Sequence, residues 1–186
     1  RSTLFPYTTL FRSQPLRMID EETRRKLREM SMGEMVEALD LQDSDRTCAA
    51  MPFDERVRMM VDHAYEEKRA ASVKRLMGRA HLRFPDAEMG DMIYEGRGID
   101  GVLVRETGTC QFMNASSNVV IEGCTGTGKS FYACCIAKQA CRMRRSARYV
   151  RLPDLLMERD ELAATERSDA KILKKYARYE LLVIDD

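Results

Sequence analysis

Gly123-Cys124-Thr125-Gly126-Thr127-Gly128-Lys129-Ser130 is the stretch that decides how the rest of this chain is read. It matches G-x-x-x-x-G-K-[ST], a loop that cradles phosphates between a strand and a helix. Asn118-Val119-Val120-Ile121 ahead of it predicts a short buried β-strand, and Phe131 to Ala137 after it predicts a packed helix. A triphosphate is gripped largely by backbone N–H groups, and glycines at 123, 126 and 128 let the chain wrap without side chains in the way. The helix opening at Lys129 adds its N-terminal partial positive charge beneath the phosphates. Lys129 is expected to reach the β- and γ-phosphates and Ser130 to ligate Mg²⁺, so residues 123 to 130 with Phe131 form the expected ATP-binding segment. The plain alternative is a glycine-rich turn that only starts a helix.

A second motif stands 55 residues after Ser130. Leu181-Leu182-Val183-Ile184-Asp185-Asp186 is a continuous apolar run ending in two acids, as a strand buried on both faces would be. This is a Walker B pattern. Asp185 is expected to hold the Mg²⁺ with its water, and Asp186, with Lys129 the expected catalytic pair, to orient or deprotonate an attacking water. Between the motifs, Tyr149-Val150-Arg151-Leu152 predicts a strand stopped by Pro153, and residues 154 to 178 predict one or two helices facing inward through Leu155, Leu156, Met157, Ile172, Leu173 and Tyr176. Strand, loop, helix, strand, helices, strand reads as an α/β P-loop NTPase with a parallel sheet.

Charged residues are 33% and apolar ones 44% of the 186, with a net charge of +1, so the chain as a whole offers no strong field to nucleic acid. No apolar run reaches membrane-spanning length, so no membrane role is expected. The six cysteines form no C-x-x-C pair, which fits buried reduced thiols in a cytoplasmic protein better than zinc or disulfides.

The first residues, Thr3 to Ser13, resemble the translation of a sequencing-adapter oligonucleotide, so residues 1–17 are set aside as a non-native leader and Met18 is the expected natural start. Asp20 is expected to cap a helix through Met30, and Ser31-Met32-Gly33-Glu34 to form a capping box for a second. Pro52 is expected to start a third helix that buries Phe53, Val57, Met60, Val61 and Ala64 and continues to Ala80. Lys68, Arg75, Arg79 and Arg83 share its other side, where they either track a DNA backbone or make a solvated face. A turn at Gly96-Arg97-Gly98 precedes a short helix, Ile99 to Arg105. A domain boundary is expected near residue 110, dividing a helical module and connector (18–109) from the P-loop domain (110–186). Lys138, Arg142, Arg144, Arg145 and Arg148 form a second basic cluster near a helix end, where cations complement the helix dipole.

The helical module, the loop after Asn-Val-Val-Ile, Met32 to Leu39, Arg151-Leu152-Pro153-Asp154-Leu155-Leu156 and the terminal apolar run together resemble the IstB-like ATPases. These are transposition helpers of insertion sequences, related to DnaC-type helicase loaders within the AAA+ class. The resemblance extends from about Met18 to Asp186. It implies ATP- and Mg²⁺-dependent homo-oligomerisation of the full-length protein on DNA, through non-specific backbone contacts, and assistance to a cognate transposase. It also implies that a strand following Asp186 lies between the Asn118–Ile121 and Leu181–Ile184 strands, and that the sensors and arginine finger lie beyond Asp186. A chain ending there is expected to be truncated after the Walker B strand and to bind ATP while hydrolysing it poorly, an arginine finger being worth about 10³ to 10⁵ in rate. Cys124 stands where that family more usually has Pro, Ala or Asn. The alternatives are a DnaC-like helicase loader, a P-loop small-molecule kinase and a non-catalytic truncated fragment.

Overall fold

The computed structural model describes residues 19–94, 96, 98–163 and 168–186. The adapter-like leader, Met18 and Arg97 of the glycine turn lie outside them. The described residues form seven α-helices and one two-stranded parallel sheet, divided into two compact units at Ala70–Ala71.

In the first unit, α1 (Glu21–Glu29) begins as its sequence dictates, with Thr23 N–H donating to Asp20 Oδ1 at 2.9 Å. The expected capping box does not form. α2 (Gly33–Ser44) starts without a side-chain cap, because Ser31 takes a left-handed backbone (φ 58) and its carbonyl accepts from Lys68 Nζ at 2.6 Å. Arg24, 2% exposed, is the unit's buried cation, and Asp40 and Asp43 of α2 hold its guanidinium. α3 (Phe53–Ala80) is one continuous helix, its residues up to Ala70 belonging to this unit. Of its expected buried face Ala64 is buried, Val57 and Met60 are half-buried, and Phe53 and Val61 are 74% and 47% exposed.

The second unit is built around α5 (Lys129–Arg142), whose three packed sides explain why Cys134, Ala137, Ala140 and Cys141 have no exposed surface. On one side Ala80 meets Ala137, Cys141 and Ala147, small residues that let helix and strand backbones approach closely. On another, Ala87 packs with Cys134, Cys135 and Tyr149, and on the third Val104 of α4 (Gly101–Gly108) packs with Tyr132 and Ile136. The Tyr132 hydroxyl bonds to that of Thr107, which donates on to the Leu103 carbonyl at 2.8 Å. Residues from 76 to 104 therefore pack on α5. The boundary expected near residue 110 lies instead about forty residues earlier.

The sheet pairs β1 (Ala147–Arg151) with β2 (Leu181–Asp185), Tyr149 opposite Val183 and Arg151 opposite Asp185. Two sequence expectations change here. Pro153 does not stop the strand; it sits in the first turn of α6 (Leu152–Ala163), where a missing N–H costs nothing. Asn118 to Ile121 forms no ladder, since no described strand lies beside it to supply partners, and Val120 is 77% exposed. α6 and α7 (Ser168–Tyr176) show that the 154–178 segment is two helices, burying Tyr176 but leaving Leu156, Met157 and Leu173 exposed.

Candidate functional site

The loop before α5 has the shape its glycines allow. Gly126 (φ 81) and Gly128 (φ 92) take left-handed backbone that residues with a Cβ adopt only with strain, and a Cβ on Gly123 would meet Thr127 Oγ1 at 3.0 Å. Gly128 caps α5, its carbonyl accepting from Tyr132 N–H at 2.9 Å, so the first N–H groups of the helix open into the loop. Thr127 Oγ1 donates to the Cys124 carbonyl at 2.7 Å and closes the curl. Lys129 Nζ donates to the carbonyls of Gly123 (2.9 Å) and Cys124 (3.2 Å), and no carboxylate among the described residues pairs with it. The loop thus sets the N-terminus of α5 beside a cation that no described carboxylate pairs with, an arrangement that attracts anions.

The two acids of β2 come to the same place. Lys129, Asp185 and Asp186 line one groove of about 920 Å³, between Asn118–Ile121 on one wall and the outer edge of β2 on the other. Asp185 is 8% exposed and Asp186 exposed. Burial pushes the Asp185 carboxyl up, but hydrogen bonds from Tyr149 and Ser130, with the Arg83 charge, outweigh it and hold the group below its ordinary range as a carboxylate. Tyr149 donates from its hydroxyl to Asp185 Oδ2, and burial together with that carboxylate pushes its own pKa up to about 12, so it stays a donor. The geometry follows from the parallel register: Tyr149 opposes Val183, and Asp185 two residues on projects to the same face, within a tyrosine's diagonal reach.

Ser130 and Asp185 present a hydroxyl and a carboxylate side by side, the hard oxygen donors that suit Mg²⁺. No group of three or more His, Cys, Asp or Glu among the described residues could hold a metal unaided. That is the donor set expected of an ion that arrives with phosphates and is shared between them and one protein carboxylate.

Sequence reasoning named the loop, Ser130, Asp185 and Asp186 but missed Tyr149 and Glu88. Tyr149 was legible as the one aromatic in the strand beside the acids. Glu88 had no motif, yet it organises the second basic cluster: Lys138, 8% exposed, lies 2.7 Å from it, and Arg142 binds it with both terminal nitrogens at 2.6 Å. Arg145 pairs with Glu180 at 2.8 Å and donates to Asn114 Oδ1 at 2.7 Å, and Arg148 donates to the Arg79 carbonyl at 3.4 Å. These cations hold the α5 end and the connector in place. In the first stripe, Lys68 lies 3.7 Å from Glu34 while Arg75 and Arg79 are exposed.

The model of the family described as IstB-like ATP-binding protein matches residues 25–186. An ATP-binding protein of insertion sequence IS1162 from Pseudomonas fluorescens is 29% identical over 170 residues, 91% of this chain and 73% of the relative. An insertion-sequence ATP-binding protein of Sinorhizobium fredii, y4pL, is 28% identical over 174 residues, 91% of this chain and 69% of the relative. A second from that organism, y4uH, is 44% identical over 69 residues, 37% of this chain and 27% of the relative.

Proposed function

Since the chain belongs to the IstB-like ATP-binding family, a family of P-loop NTPases, we propose that it is an ATP-driven helper of DNA transposition that assembles on DNA and assists a transposase. The observation that carries this reading is the convergence of Lys129, Asp185 and Asp186 on one groove beside the loop mouth. In it, residues 123–131 hold ATP by backbone N–H groups and the α5 N-terminus, and Lys129 lies along the β- and γ-phosphates. Mg²⁺, held by Ser130 and Asp185, would neutralise charge on the phosphates. Asp186 orients the attacking water. The proposal extends to the AAA+ class.

Insertion-sequence names on the relatives favour a transposition helper over a helicase loader. DNA contact is proposed to be non-specific and made to phosphates. Arg75 and Arg79 are better candidates for it than Lys138, Arg142 and Arg145, whose charges are already paired. A homo-oligomer acting in the cytoplasm completes the proposal. No helix among the described residues is long and apolar enough to cross a membrane.

Binding to random-sequence duplex DNA, measured with Mg²⁺ and a non-hydrolysable ATP analogue or with ADP, tests it. Affinity should depend on the nucleotide and fall on the order of 10³-fold between 50 and 200 mM salt if about six phosphates are contacted. Binding indifferent to both salt and nucleotide would reject the DNA-helper reading.

A further inference from the structure

Arg83, like Tyr149, reaches the Asp185 carboxylate from outside both motifs. The chain leaves α3 through His81 in left-handed backbone (φ 51), which brings Arg83 Nη1 to 3.8 Å from Asp185 Oδ2. Its guanidinium carbon lies 5.4 Å over the Phe84 ring centroid. Phe84 in turn stands 6.1 Å from the ring of Phe131, the residue after Ser130. A series of ring contacts thus runs from the first turn of α5 to a cation on the buried Asp185 carboxylate, on the oxygen that also accepts from Tyr149. A guanidinium and a divalent ion repel one another, so beside one carboxylate each weakens the other's hold on it.

The geometry points to Arg83 as a positioning residue: it holds the Asp185 carboxylate in place and yields it when a divalent cation arrives with nucleotide. The structure offers a place for the displaced side chain. Arg83 also lines a separate cleft of about 530 Å³, bordered by Arg148, Arg151, Asp154 and Glu158, in which the exposed Asp154 supplies a carboxylate. Arg83 is 52% exposed at its side chain, so the move is one of rotamers with no core to open. This inference rests on the metal-site reading of Ser130 and Asp185.

The test is the Mg²⁺ midpoint for binding of a fluorescent ATP analogue by the full chain, with Mn²⁺ binding followed by electron paramagnetic resonance as a second readout. Arg83→Gln, and Arg83→Met, which keeps the stem over Phe84, should lower the midpoint about two- to fivefold, the range a half-exposed ion pair sets. Arg83→Lys should stay at the unmodified value, as should Arg75→Gln, which removes an exposed charge of α3. In an Asp185→Asn background Arg83→Gln should change nothing. An unchanged or raised midpoint for both Arg83→Gln and Arg83→Met overturns the proposal, and so does an equal drop for Arg75→Gln. Analogue binding by the unmodified chain that ignores Mg²⁺ overturns the metal-site reading itself, and the proposal with it.

Discussion

Replacing Glu88 by Gln removes one charge from the junction between the connector and α5 while keeping its size. Glu88 faces two cations, Lys138 with a side chain 10% exposed and Arg142 with one 43% exposed. Removing one partner of a fully buried pair costs about 3–5 kcal/mol. Glu88 is itself 35% exposed, so water softens the loss at Lys138 to roughly half of that, and the exposed Arg142 pair adds at most about 1 kcal/mol. The expected loss is about 2–3 kcal/mol, which for a chain of this size lowers Tm by roughly 5–10 °C. Arg142, then Lys138, hold the Glu88 pKa below the ordinary 4.5, so its contribution is fully present above that value and is lost as pH falls through the folded-state pKa. The gap in Tm between the unmodified chain and Glu88→Gln should therefore be open at pH 7 and narrow as pH falls below the ordinary carboxylate range. Thermal unfolding followed by circular dichroism at pH 7 and pH 3 measures it. A gap absent at pH 7, or undiminished at pH 3, would refute the reasoning and return Lys138 and Arg142 to the pool of cations available to DNA.

Tyr149→Phe should cost about 2 kcal/mol, because it removes a donor to a buried carboxylate while leaving the ring in the core. Unchanged unfolding in that variant would mean that Ser130 and Arg83 satisfy Asp185 without it. Of the six cysteines only Cys124 is exposed, and burial, chiefly, pushes Cys135 up to about 11. One thiol should therefore react quickly with a disulfide reagent, Cys124→Ser should abolish that phase, and Mg²⁺ with ATP should slow it. A fast phase that survives Cys124→Ser, or that ATP leaves untouched, would count against the loop geometry.

What the sequence revealed of the fold was local. The loop, the helix after it, the Asp20 cap and the unbroken α3 depend on residues within a few turns of one another, and their patterns could be read directly. Asn118 to Ile121 could not be, because a strand exists only against a partner, and apolar β-branched residues record a preference for pairing and nothing about who supplies it. The packing of residues 71–109 was hidden for a related reason. Small residues such as Ala80 and Ala87 look neutral in sequence, and only their contacts with Cys134, Ala137 and Cys141 reveal that this stretch packs on α5. At the site, Lys129, Ser130, Asp185 and Asp186 sat at recognisable spacings. Tyr149 and Arg83 reach Asp185 across 36 and 102 residues of chain, a separation that no spacing rule covers.

Equilibrium binding of a fluorescent ATP analogue, with and without Mg²⁺, by the unmodified chain and by Lys129→Ala tests the central claim most directly. Lys129 is the half-buried cation of the loop mouth and donates to loop carbonyls, so its loss should leave the fold intact and remove the charge-assisted contact to the phosphates. The account predicts Mg²⁺-dependent binding by the unmodified chain, weakened by about 10²-fold or more in Lys129→Ala. Equal affinity in the two proteins would contradict it.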